Sequence, residues 1–178
     1  MSKEQQYKYP DFKDWKWREF YTPKIVSLDA FLEKNAASGR DFHIGTDSQN
    51  HGKNTFFSTA IIAHTRHTGG SVIIHKDHTP AYTSLQQKLI IEAMRTLEAA
   101  WYLSQKFTND RIKIRLHLDV NEDIKFKSGQ YKEKLVGLIM GQGYEDPSNV
   151  KNPEDHPRLV FWKPEAWAAS NVADRNVK

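Results

Sequence analysis

The hydrophobic pattern of this chain opens with a helical period. Leu28, Phe31 and Leu32 share one face of a short segment that Ser27 can cap and Gly39 can end, which predicts a helix over 28–37. The period then drops to two. Phe42-His43-Ile44-Gly45-Thr46-Asp47-Ser48 alternates as a strand does, and 55–65 is rich in β-branched and aromatic residues. Thr68-Gly69-Gly70 reads as a turn, and 71–78 (SVIIHKDH) as a third strand. Short links join these strands, so they are expected to pair as an antiparallel meander.

A helical period returns at Ser84, which forms a capping-box pair with Gln87. Leu85, Leu89, Ala93, Leu97, Ala100 and Trp101 then recur at helical spacing, predicting a long helix to about residue 106. Residues 111–120 (RIKIRLHLDV) alternate as a strand, 130–141 read as a helix, and 158–162 as a short strand. The stretch 144–157 holds three of the seven prolines and is expected to be an exposed loop. Pro164 suits the first turn of a last helix reaching about residue 174. Strand-helix-strand alternation in the second half implies right-handed crossovers and parallel pairing. The fold class is therefore α/β: a five-stranded mixed sheet, three antiparallel strands and then parallel ones, flanked by helices over 41–178. Residues 1–40 form an N-terminal extension.

That extension carries an unusual run. Seven of the chain's 21 aromatic residues lie within 7–21 (YKYPDFKDWKWREFY), interleaved with lysines and Arg18. Aromatics among basic residues suit base stacking with phosphate contacts, which makes Trp15 and Trp17 candidate nucleic-acid contacts. The same aromatics can instead pack onto the domain or onto a second copy of the chain, giving a homo-oligomer. Charge does not decide between these, because residues 1–40 carry eight basic and six acidic side chains.

Over all 178 residues the excess is only +4, with a pI near 9.1 and mean hydropathy of −0.72. The longest aliphatic run is Ala60-Ile61-Ile62-Ala63, far from the ~20 residues that span a bilayer, so no membrane association is expected. The polar start MSKEQQYKYP lacks a secretory apolar core, and cysteine is absent. Both fit a cytoplasmic protein, and the second excludes thiol catalysis and cysteine zinc sites.

Four acids fall where acids are unexpected. Asp47 interrupts the first strand of the meander, Asp119 ends the strand at 111–120, Glu92 sits near the apolar stripe of the long helix, and Asp174 follows Asn171-Val172-Ala173. One carboxylate at a strand end means little, since water solvates it. Jointly they mean more. If the strand at 111–120 runs parallel to that at 42–48, Asp47 and Asp119 reach the same end of the sheet, and the two helices can add Glu92 and Asp174. Converging carboxylates repel one another unless a cation is present. All-oxygen ligation selects Mg²⁺ or Mn²⁺, and two ions ~3.5–4 Å apart can drive phosphodiester hydrolysis.

Other candidates are secondary. Lys163 and Lys127, with Lys132, can contact phosphate or simply face solvent. Ser48 can support Asp47, and His51 or His117 can assist proton transfer. No GxxxxGK[ST] occurs, and Ser48 lacks a GxSxG context.

Here the residues carry a resemblance. HIGTDSQ (43–49), SLQQKLIIEA (84–93), HLDV (117–120), GLIMGQGYE (137–145) and KPEAWAASNVADRNVK (163–178) resemble the bacterial YkuK-like family of ribonuclease H-like proteins, over about 41–178. The resemblance implies a metal-dependent nuclease acting on DNA, RNA or a hybrid. Its metal ligands would be Asp47, Glu92, Asp119 and Asp174, with Asp47 bridging two ions and Asp174 nearest the attacking water. The stretch DVNEDIKFKSG (119–129) departs from the family, leaving Glu122 and Asp123 as alternatives to Asp119. A non-catalytic nucleic-acid-binding or protein-interaction module on the same fold is the competing expectation.

Overall fold

The computed structural model describes residues 11–108, 112–121, 123, 125 and 127–176, without the side chains of 169, 170 and 176. Seven strands form one sheet, not the five read from the pattern: β1 (Trp17–Glu19), β2 (Ile25–Val26), β3 (Asp41–His51), β4 (Asn54–Thr65), β5 (Gly69–Pro80), β6 (Ile114–Asn121) and β7 (Arg158–Lys163), in the order β2-β1-β5-β4-β3-β6-β7. The β3–β4–β5 meander is antiparallel, as its short links require. A positive φ of 58° at Gly52 closes its first hairpin, and positive φ at His67 and Gly69 closes the second. β6 and β7 add on parallel to β3.

The α-helices among the described residues are α1 (Leu28–Ala37), α2 (Leu85–Lys106) and α3 (Lys132–Met140). Their caps form as the sequence proposes: Ser27 accepts from the Ala30 amide and Ser84 from the Gln87 amide. The predicted last helix is a π-helical segment, Ala168–Ala173, followed by a 3-10 turn, Asp174–Asn176. The loop before β7 is not wholly exposed, because Tyr144 is buried in the main core and Glu145 bridges to Leu159.

Pleating sends successive β-strand side chains to opposite faces. Phe42, Ile44, Ile61, Leu116 and Leu118 face α2, with Leu89, Ala93, Ala100 and Leu103. Ala60, Ile62 and Ile74 face the other way and meet Ala168 and Ala173. The sheet is thus sandwiched between α2 and the 168–173 segment.

The described part of the aromatic run packs onto the domain, one of the alternatives the sequence offers. β1 pairs antiparallel with β5, Trp17 opposite His75, so the first residues extend the sheet. Phe12, Trp15 and Trp17 are buried, with Trp17 only 2% exposed. Trp15 stacks on His75 at 4.4 Å, and Phe12 meets Tyr102 at 5.1 Å. Beneath them lies Arg95, fully buried, paired at 2.5 Å with Asp77, its guanidinium 4.1 Å from the Phe57 ring centre and 5.7 Å from that of Trp15. These rings have no free face for a base, so Trp15 and Trp17 are core residues and not nucleic-acid contacts. Tyr7 and Tyr9 lie outside the described residues. No helix among the described residues is long and apolar enough to cross a membrane.

Candidate functional site

Asp47 lies on the long middle strand β3, on the face opposite α2. The alternation places Thr46 and Ser48 on the α2 side, where the Thr96 and Thr46 hydroxyls share a hydrogen bond at 3.0 Å and Ser48 donates to Glu92 Oε1 at 2.5 Å. His43 lies on Asp47's side, with its ring 4.9 Å from that of Trp167. The parallel register sets Gly45 beside His117. Two residues further along each strand stand Asp47 and Asp119, so both acids reach the same end of the same face. Asp174 follows the π-helical segment that covers this face, and it shares a side-chain hydrogen bond with Asp47. Such a bond needs a proton on one of the two carboxyls.

Glu92 arrives differently. It projects from α2, on the far side of the sheet, and is buried (6% exposed). It still feels the charges of Asp47 and Asp119. The four acids therefore interact as one electrostatic group, three on one face and the fourth across the end of β3. Ser48 links them: its amide hydrogen-bonds Asp47 while its hydroxyl holds Glu92.

The remaining predicted residues separate. Lys163 meets no open phosphate site: its ammonium lies 2.7 Å from Asp119 Oδ1, an ion pair. Lys127 is exposed, and Lys132 stands over the Trp162 ring at 5.4 Å. Asp123 is exposed and accepts from the Lys125 amide in a local turn, and Glu122 lies outside the described residues; of the described alternatives, Asp119 faces the site. His51 is exposed against Phe56. His117 is buried, 2.8 Å from His43 and stacked on Phe161, which removes it from solvent and from proton exchange with a bound substrate. Lys88 was not singled out by the sequence; it donates to the Ser48 carbonyl at 3.3 Å, and its charge favours ionised Glu92. The i, i+4 spacing of Lys88 and Glu92 on one helix face was the available signal.

Among the described residues, no three histidine, aspartate or glutamate side chains are gathered closely enough to hold a metal ion as they stand. The donor set nonetheless fits a hard cation. All four donors are carboxylates, and the buried Asp119 Oδ1 already draws a cation, the Lys163 ammonium 2.7 Å away. Burial, then the charges of Asp119 and Asp174, push the Asp47 carboxyl up to about 7. Burial, then the charge of Asp47, push Glu92 up to about 8. Ionised together, these groups repel one another, and a divalent ion would relieve that repulsion.

The shifts fix a pH dependence. Unfolded carboxyls titrate near about 4 and unfolded histidines near about 6.5. Above pH ~6.5 the native chain keeps protons on Asp47 and Glu92 that the unfolded chain has lost, so stability falls as pH rises towards 8. Burial lowers His43 to about 2 and His117 to about 3; this acts in the opposite sense and only below ~6.5, where the unfolded chain takes up protons that the native chain refuses. The melting temperature of the metal-free chain is expected to fall between pH 6.5 and 8, and Glu92→Gln to flatten that fall. A wild-type melting temperature that rises over this interval contradicts the raised carboxyls.

A model of the family described as Ribonuclease H-like matches residues 25–178, so the likeness includes β2 and α1 and begins before residue 41. No curated protein and no solved structure matches the chain.

Proposed function

Because this chain belongs to the ribonuclease H-like family, we propose that it is a divalent-metal-dependent nuclease that hydrolyses phosphodiester bonds. The observation that carries this reading is the pair Asp47 and Asp119 on adjacent parallel strands, at one end of one face, with Asp174 bonded to Asp47. Buried acids that raise one another's pKa destabilise a fold and are retained where their charge is used.

Asp47, Asp119 and Asp174, with Glu92, would hold Mg²⁺ or Mn²⁺. When bound, such an ion acidifies water and stabilises charge on the phosphoryl oxygens. The chain's own residues do the rest. Ser48 fixes Asp47 through its amide and Glu92 through its hydroxyl, so both carboxylates are pre-positioned. The Thr96 hydroxyl donates to the Glu92 carbonyl at 2.9 Å and shares a second hydrogen bond with the Thr46 hydroxyl at 3.0 Å, tying α2 to β3 at the site. The Trp167 ring packs against those of His43 and His117 on the same face below the acids, with centres 4.9 and 5.1 Å away. Asp174 opens the 3-10 turn that follows the π-helical segment.

The test is cleavage of labelled single-stranded DNA, duplex DNA, RNA and RNA–DNA hybrid with Mn²⁺, Mg²⁺ or EDTA. The expected result is cleavage of at least one substrate with metal and of none in EDTA. Intact substrate in every metal condition removes the reading and leaves a binding or interaction domain.

A further inference from the structure

We infer that Lys163 is an internal cation of the acidic site, and that a divalent ion taking Asp119 as a ligand must displace it. This inference rests on the reading of the acids as a metal site and specifies how that site is charged.

The argument starts from strand register. β7 runs parallel to β6, with Phe161 opposite His117 and stacked on it at 5.1 Å. Phe161 thus faces the Asp47 side of the sheet, and so does Lys163 two residues later. At the end of β7 its ammonium reaches Asp119 Oδ1 at 2.7 Å. Asp119 is 19% exposed and Lys163 34% exposed, so water screens the pair only partly. The pair occupies the oxygen that otherwise has no hydrogen bond.

A second lysine serves the other side of the sheet. Lys88 reaches the Ser48 carbonyl and favours the charge on Glu92. Each ammonium offsets part of the repulsion among the carboxylates where no metal ion does. A lysine ammonium is a compact point charge on a flexible stem, suited to this role because it can withdraw when another cation arrives at the same carboxylate. Any ion that takes Asp119 as ligand must therefore compete with Lys163, at a cost in affinity.

The experiment is a Mn²⁺ titration of the full chain, with free ion followed by electron paramagnetic resonance, for wild type, Lys163→Met and Lys163→Arg. Lys163→Gln takes the place of the methionine variant if circular dichroism shows that variant unfolded. Lys163→Met is expected to bind Mn²⁺ at least tenfold more tightly than wild type, and Lys163→Arg to resemble wild type. The same Mn²⁺ affinity in Lys163→Met as in wild type overturns the role of Lys163 while leaving a metal site standing. No Mn²⁺ in any of the chains overturns the metal reading, and the role of Lys163 with it.

Discussion

Asp47→Asn is expected to lower metal-dependent cleavage on the order of a thousandfold, about 4 kcal/mol of lost transition-state stabilisation. The substitution keeps shape and removes charge. Asp47 is the acid with most connections in the site: it bonds Asp174, it accepts from the Ser48 amide, and it raises Glu92. Its replacement also removes the repulsion that makes the metal-free site costly. Asp47→Asn should therefore be at least as stable as wild type at pH 8 while being inactive. That combination separates loss of chemistry from loss of fold. Activity within a few-fold of wild type in Asp47→Asn, measured on the substrate that wild type cleaves, would mean that the acids do not carry the reaction.

Trp17→Ala is expected to cost about 3–5 kcal/mol of folding stability, the range for truncating a buried tryptophan. Trp17 is 2% exposed, lies opposite His75 on β5, and touches Phe12 and Trp15 with ring centres 6.1 and 6.0 Å away. Its loss opens a cavity where β1 is fastened to the sheet, close to the buried Arg95–Asp77 pair. Chemical denaturation reads the effect as a lower midpoint. If the aromatic run were instead a stacking surface, Trp17→Ala would leave the denaturation midpoint in place and weaken nucleic-acid binding.

That second case shows where the sequence is ambiguous and why. Seven aromatics interleaved with lysines have the composition of a single-strand-binding surface, and the same composition also serves a strand whose polar residues face water. β1 and β2 span three and two residues, too few to show alternation, so two of the seven strands were invisible as pattern. The meander, α2 and its cap were legible because their periods run long: β4 and β5 span 12 residues each and α2 spans 22. Asp47 and Asp119 were legible for the same reason, each interrupting or ending a clear alternation. Asp119's partner was not. The ion pair with Lys163 depends on the parallel register of β6 and β7, and that register slips between His117 and Asn121. The approach of Glu92 from the far face was equally hidden, since helix periodicity places it on the buried side of α2 without saying which face of the sheet α2 covers.

The most direct measurement is an anomalous difference map from a crystal soaked in Mn²⁺. The account predicts a peak at bonding distance, roughly 2.1 Å, from carboxylate oxygens of both Asp47 and Asp119. A map with no peak there at saturating Mn²⁺, or with Mn²⁺ bound only elsewhere on the chain, contradicts it.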